Sequence, residues 1–143
     1  MSFDLKAVHE GLADQIRAGV ADAGKFTIKA FPSTSPRPVI EVWPDADYIS
    51  YFETSGPAGL GDVRLLVRLL LSSANAESEW LVACRLLSAG TGFVSSIIDA
   101  VMADRTLGGA VADTFIGNAR WDPDDGAIEI PVAIQLNKQG AQV

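Results

Sequence analysis

The chain has 143 residues, 11 basic and 18 acidic side chains, a net charge of −7, and 48% hydrophobic residues at a mean hydropathy of +0.22. The acidic balance argues against a groove that neutralises nucleic-acid phosphates. The single cysteine, Cys84, excludes an internal disulfide scaffold, and no apolar run approaches membrane-spanning length.

A length of this order predicts one domain whose core folds without staples. The N-terminus, Met1-Ser-Phe-Asp-Leu-Lys6, lacks the basic start and apolar run of a signal peptide. High apolar content in so acidic a chain reads two ways: a rich core, or extra surface buried between subunits.

Ser2 or Asp4 caps a first helix, in which Leu5, Val8, Leu12 and Ile16 form an apolar stripe and Lys6, Glu10, Asp14 and Arg17 fall off it. Gly11 and Gly19 each lower helix propensity by about 1 kcal/mol relative to alanine. Gly24 suits the left-handed position that ends a helix. Phe26 to Phe31 alternates as a strand, and Pro32 to Pro38, with three prolines, is a stiff loop. Val39 to Trp43 predicts a second strand, closed by Pro44-Asp-Ala-Asp47, and Tyr48 to Thr54 predicts a third. Ser55 to Gly61 is glycine-rich and reads as a mobile hairpin tip leading into the stretch Asp62 to Ser73.

That stretch has the clearest pattern in the chain. Val63, Leu65, Val67, Leu69 and Leu71 make an unbroken apolar face at period two, so a long strand is expected with that face in a core. On the other face Arg64, Leu66, Arg68 and Leu70 alternate charge with leucine, which suits contact with a helix or a neighbouring subunit. Arg64 and Arg68 would stand roughly 13 Å apart by strand rise.

After Ser73 the period moves towards 3.6. Asn75 is the expected cap of a helix whose Trp80, Ala83, Cys84 and Leu87 share one face, flanked by Leu81 and Leu86. Ala89 to Gly92 stops it, and Thr91 caps a second helix with the stripe Phe93, Val94, Ile97, Ile98, Val101 and Met102. Asp104 to Gly109 is a turn. Val111 to Trp121 and Ala127 to Leu136 read as strands joined by the turn Asp122-Pro-Asp-Asp-Gly126, and Asn137 to Val143 as a polar tail. Strands cluster and helices do not alternate with them, which predicts a single α+β domain over 1–143: a mostly antiparallel sheet covered by helices on at least one face.

Candidate chemistry is sparse. His9, the only histidine, reads as a helix-surface residue rather than a catalytic base. Cys84 reads as a small buried hydrophobe. Gly56, Gly59 and Gly61 precede a strand rather than a helix and do not fit a phosphate loop, and Gly90-Thr-Gly92 reads as a helix–helix turn. Asp122, Asp124 and Asp125 do not match calcium-loop spacing. No catalytic residue, cofactor or metal ligand is assigned. The better signals concern interfaces. Trp43, Tyr48, Tyr51, Phe52 and Trp121 are aromatics at strand ends or beside loops, and with Arg64 and Arg68 they are residue types that interfaces favour.

In order and spacing the chain resembles the tail terminator proteins of long-tailed, siphovirus-type bacteriophages, especially those of actinobacterial hosts. The resemblance starts with the N-terminal helix and Phe26 to Phe31. It runs through Pro38-Val-Ile-Glu-Val-Trp-Pro-Asp-Ala-Asp-Tyr-Ile-Ser-Tyr-Phe-Glu-Thr54, the glycine-rich tip, the Val63 to Leu71 strand and the two helices. It ends with Asp104-Arg-Thr-Leu-Gly-Gly-Ala-Val-Ala-Asp113 leading into a final hairpin. The resemblance implies a virion protein, made in the host cytoplasm, that forms a ring, usually of six, on the last ring of the tail tube. The ring ends growth of the major tail tube protein and meets the head-completion or stopper protein. DNA passes through its lumen without sequence-specific binding, and no membrane is involved. The tip, with Gly56, Gly59 and Gly61, would reach a neighbouring ring, and Arg64 and Arg68 would pair across subunits. The alternatives are a stopper protein of the phage neck and a small ligand-binding or enzymatic α+β domain.

Overall fold

In the computed structural model, which describes residues 4–20, 26–50, 61–73, 77–88, 96–109 and 111–136, three helices pack on a mixed six-stranded sheet, an α+β fold in one domain. The elements run α1 (Leu5–Gly19), β1 (Thr27–Lys29), β2 (Val39–Ser50), β3 (Asp62–Leu70), α2 (Glu77–Leu87), α3 (Ile97–Ala103), β4 (Asp113–Ile116), β5 (Arg120–Asp122) and β6 (Ala127–Gln135). The sheet order is β1-β2-β3-β6-β4, with β5 also paired to β6. The β1–β2 pair is parallel and the other pairings are antiparallel.

Asp4 is the cap of α1, its carboxylate accepting the amides of Lys6 and Ala7 at 3.0 and 3.3 Å. The helix buries Val8, His9, Leu12, Ala13 and Ile16. Each large aliphatic side chain so buried contributes about 1.5–3 kcal/mol. At the end of α1, Gly19 lies so close to α3 that an added Cβ would stand 2.3 Å from the Cβ of Ala100. Gln15 Nε2 donates to the Ala100 carbonyl at 2.9 Å in the same crossing. The glycine that weakens the helix locally is what allows the two helices to meet.

β3 is the central strand, paired with β2 on one side and β6 on the other. Its Val63, Leu65, Val67, Leu69 and the following Leu71 are all buried in the main core. Register places Ile40 and Val42 of β2, and Ile128, Ile130, Val132 and Ile134 of β6, on the same face. The inward residues of all three helices join that cluster. The second face is separate: Val39, Leu70 and Ala127 form a small cluster of their own there, and Leu66 is also buried on that face.

Two expected strand boundaries differ. The strands predicted at 39–43 and 48–54 are one strand over the described part, β2, because both segments pair with β3. The pairing passes from Pro44↔Leu65 to Ile49↔Val63, so β2 carries three more residues than β3 across that interval. The expected break at Pro44 to Asp47 is therefore a bulge within a continuous strand. Conversely, the strand predicted over 111–121 is divided into β4 and β5. Register on β6 moves from Ile116↔Val132 to Arg120↔Glu129, one residue extra on the outer strand. Pro131 of β6 lies at this gap and accepts the Gly117 amide at 2.8 Å. A proline inside a sheet lacks a ladder donor, and here the missing donor faces the stretch where the neighbouring strand bulges.

The helix faces also differ from expectation. α2 turns Glu79, Ala83 and Leu86 inward and leaves Leu81 and Cys84 exposed, so Cys84 is not the buried hydrophobe that its neighbours imply. The cause is Glu79, whose carboxylate accepts the Ser72 amide at 2.7 Å and the Ser72 hydroxyl. That pair draws a charged residue to the inner side just after β3. α3 is capped by Ser96, and its Met102 is exposed. The positions proposed for Gly24, Asn75, Thr91, Phe93 and Val94, and for the tail, lie outside the described residues.

Both sheet edges carry a side chain on a backbone group. Arg17 donates to the Ile28 carbonyl of β1 at 2.8 Å, and the Asp113 carboxylate accepts the Thr114 amide of β4 at 2.8 Å.

The Gly19–Ala100 approach sets a test whose sign opposes helix propensity. Propensity alone makes Gly19→Ala stabilising by up to about 1 kcal/mol. Overpacking against Ala100 should instead destabilise by about 1–3 kcal/mol, read as a lower urea midpoint with unchanged slope.

Candidate functional site

The second face of the sheet carries a connected group of charged residues. Register aligns Lys29, Glu41, Arg68, Glu129 and Arg120 in one row across five strands, alternating in sign. Arg68, only 5% exposed, is its centre. Its Nη2 lies 2.9 Å from Asp125 Oδ2 and 3.4 Å from Asp122 Oδ2, and its Nε lies 2.9 Å from Glu129 Oε2. Its guanidinium carbon sits 4.8 Å from the centre of the Trp43 ring. Arg120 meets the other oxygen of Glu129 at 3.2 Å.

The neighbours of this row are equally well partnered. Glu41, buried, accepts Trp43 Nε1 at 2.9 Å and the Ser33 amide at 3.0 Å, and it also binds the Ser33 hydroxyl. Arg37 Nη1 donates to the carbonyls of Asp125 and, at 3.4 Å, Leu71. Hydrogen bonding from Arg68, then its charge, holds the Asp125 carboxyl below its ordinary pKa, with a smaller contribution from Arg37. The 122–126 turn is thus tied to the sheet face by two arginines, and Gly126 completes it at φ +63°.

These contacts correct the expectation for Arg68. The residue does not await a neighbouring subunit, since carboxylates of its own chain surround it. Arg64, on the same strand face, differs. It is exposed and has no ion pair among the described residues. Its register partners are Ala133 and, beyond it, Phe115, neither of which offers a counter-charge. Arg64 borders a shallow groove of about 230 Å³ shared with Asp45, Phe115, Gly117, Pro131 and Ala133. Phe115 is 47% exposed, with the Arg105 guanidinium 5.0 Å above its ring, and Arg105 is itself held by Asp113 at 2.7 and 3.0 Å. The groove therefore combines Arg64, with the carboxylate of Asp45 on the same lining, and apolar surface.

The aromatic candidates separate in the same way. Tyr48 is engaged within the chain: its hydroxyl lies 2.6 Å from Nε2 of His9. His9 is 1% exposed, not a surface residue as its edge position on the stripe implies. Its Nδ1 lies 2.8 Å from the Ala30 carbonyl, and its ring stacks on Phe31 at 4.5 Å. A carbonyl only accepts, so Nδ1 carries the proton and Nε2 accepts the tyrosine hydroxyl. Burial lowers the His9 pKa, opposed in part by the Ala30 bond, and burial also raises that of Tyr48. The pair fastens the β2 bulge to α1. A signal for this existed: His9 precedes Ala13 and Ile16 at spacings of four and three, which extends the apolar stripe.

Trp43 is half-buried under Arg68, while Trp121 is 42% exposed and packs against Trp80 with ring centres 5.1 Å apart. Gly61 is buried, and its carbonyl accepts the Leu136 amide at 3.1 Å, joining the start of β3 to the end of β6. Tyr51, Phe52, Gly56 and Gly59 lie outside the described residues. Sequence reasoning missed the buried carboxylates Glu41 and Glu79, whose partners are loop serines with no motif, Ser33 and Ser72, and for Glu41 also Trp43 two residues on along β2. Among the described residues no group of three or more histidine, cysteine, aspartate or glutamate side chains is arranged to hold a metal ion, and no helix is long and apolar enough to cross a membrane.

The two arginines are separable by experiment. Arg68→Ala removes the buried guanidinium and its bonds to partly exposed carboxylates and should cost about 1–3 kcal/mol, whereas Arg64→Ala should stay within about 0.5 kcal/mol. Urea unfolding of the purified variants reads both. His9 sets a pH dependence. Its folded-state pKa lies below the ordinary value of 6.5. On acidification through that value the unfolded chain therefore takes up a proton that the folded chain resists. Stability should fall as pH drops from about 6.5 to the folded-state pKa, then level off in this contribution. His9→Gln should cost about 1–3 kcal/mol at pH 7.5 and flatten the dependence between pH 7 and 5.

No protein-family model and no curated protein matches the chain.

Proposed function

We propose that this chain is a structural virion subunit, a tail terminator whose copies form a ring, of six in the usual case, on the end of a phage tail tube. The ring stops growth of the tube protein and presents a surface to the head-completion protein, and DNA crosses its lumen without being read. The subunit acts by assembly rather than catalysis.

The observation that carries this reading is the division of the sheet. One face is filled by the chain's own helices. The other ends in a groove where exposed Phe115 and Arg64 meet the half-buried Pro131, Ala133 and Asp45. An open face with an apolar floor and the charges of Arg64 and Asp45 at its border suits contact with a neighbour of complementary charge, and each copy has an excess of acidic side chains to offer Arg64. The order of elements in the chain follows the order on which the resemblance rests.

The expected result is ring formation by the purified chain, seen by mass photometry and negative-stain microscopy. Arg64→Glu should weaken the ring by roughly tenfold or more without loss of fold, from lost attraction plus introduced repulsion. A chain that stays monomeric at every concentration and also fails to assemble on tail tubes overturns the reading. In infected cells lacking the subunit, tails should lose length control. Headless tails of uniform length would instead assign the neck stopper role.

A further inference from the structure

Asp125–Gly126 is the one place in the chain where an aspartate or asparagine precedes a glycine. Such a pair is chemically reactive. The aspartate side-chain carbon is within reach of the next amide nitrogen, and glycine has no Cβ to obstruct the approach. Here the pair sits in the 122–126 turn, with the Asp125 side chain 54% exposed and Gly126 at φ +63°. Three contacts hold it. Arg68 Nη2 donates to Asp125 Oδ2 at 2.9 Å, Arg37 Nη1 donates to the Asp125 carbonyl, and the Gly126 carbonyl accepts the Leu71 amide at 3.0 Å.

We propose that the Asp125–Gly126 bond is a site of backbone isomerisation to isoaspartate, and that the bond from Arg68 restrains this reaction in the folded chain. In the first step the Gly126 nitrogen attacks Cγ of the protonated Asp125 carboxyl. A C–N bond forms, and the carboxyl hydroxyl leaves with the amide proton as water, closing a five-membered succinimide. In the second step water adds to the former main-chain carbonyl carbon of Asp125 and breaks its bond to the nitrogen. One water is lost and one gained, nothing is oxidised or reduced, and the mass is unchanged. The chain then runs through Cβ and Cγ of Asp125, and the former main-chain carbonyl carbon carries the carboxylate.

Two features of the folded turn oppose the first step. A carboxylate is a poor electrophile, and the hydrogen bond and charge of Arg68 favour the ionised form. That hydrogen bond must also break before Cγ can swing onto the nitrogen. The outcome is a displacement of charge. Cγ, whose oxygen Arg68 holds, becomes a neutral amide carbonyl, and the new carboxylate lies on the carbon whose oxygen Arg37 holds. Arg68 keeps Asp122 and Glu129. The modification weakens the tie between turn and sheet face at Arg68, and it does not depend on the ring reading.

The test is prolonged incubation of the full chain, folded and in guanidinium chloride. Isoaspartate is read by enzymatic methylation of its free α-carboxylate and placed by peptide mapping. The unfolded chain should accumulate it at position 125, and the folded chain should do so roughly tenfold more slowly. Folded Arg68→Gln should react faster than the folded wild type by roughly fivefold, and Arg68→Lys by less. Asp125→Glu should remove the signal in both states. Circular dichroism confirms that each variant is folded. The pH profile is a second reading that needs no variant. The charged groups facing the Asp125 carboxyl are Arg68 of β3, Arg37, Asp122 of the same turn and, across Arg68, Glu129 of β6. Arg68 holds the folded carboxyl below its ordinary pKa, so the protonated form is lost at lower pH than in the unfolded chain. The folded rate should therefore fall off at a lower pH than the unfolded rate, whereas mere rigidity of the turn would lower the folded rate equally at every pH. Absence of isoaspartate at 125 in the unfolded chain overturns the site. Equal folded and unfolded rates, identical pH profiles, or a folded Arg68→Gln chain no faster than the wild type overturn the restraint by Arg68.

Discussion

Burying a guanidinium on a sheet face costs several kcal/mol of desolvation unless carboxylates match both its charge and its donors. The charge of Arg68 is matched by Glu129 beside it on β6 and by Asp122 and Asp125 from the turn that leads into β6; Nη2 donates to the two aspartates, while Nε lies close to Glu129 without the geometry of a hydrogen bond. Trp43 on β2 closes the remaining side. These partners come from both neighbouring strands, so the pairing of β3 on each side must be correct before the charge is satisfied. A slip of one residue would exchange the two faces of β3. It would carry Arg68 into the helix-packed core and Val67 towards Glu129. The apolar face and the ion-paired face therefore specify one register through independent physics, hydrophobic burial on one side and charge matching on the other.

That dependence explains what could be read from the sequence. Period-two alternation fixed the buried set of β3, because a strand's inward residues are a local property of the chain. The Asp4 cap and the 122–126 turn were legible for the same reason, since their hydrogen bonds close within a few residues. The roles of Arg68, His9 and Glu41 were not. Arg68 reaches Asp125 across 57 positions, and His9 reaches Tyr48 across 39. A pattern rule treats each of these side chains as polar and assigns it to solvent. Glu79 shows the same failure at short range: a buried hydrogen bond to Ser72 rotated α2 away from the face its apolar residues favour. The bulge in β2 and the gap between β4 and β5 were hidden because local breakers end a strand only if the partner strand does not continue past them.

Arg64 and Arg68 share a strand, a face and a residue type, yet one completes the fold and the other does not. The difference is one row of the sheet. The Arg68 row holds Glu41 and Glu129, while the Arg64 row holds Ala133 and Phe115. Composition along a single strand does not reveal this, because a row is assembled from strands far apart in sequence. The open part of the second face is in this way confined to the end of the sheet near Phe115, while the other end is closed by ion pairs and by Ser33 and Arg37.

The side chains placed on β1 and β4 bear on how another extended chain could add to the sheet. An edge with free amides and carbonyls accepts any extended chain, and each added strand creates a new edge, so growth by that route has no natural end. With Arg17 on the Ile28 carbonyl and Asp113 on the Thr114 amide, backbone addition along β1 or β4 must first displace a charged side chain. In the proposed ring, copies would recognise one another through side-chain surfaces of fixed shape and charge. Contacts of that kind have a defined angle and can close on themselves, which favours a particle of definite size over a fibre.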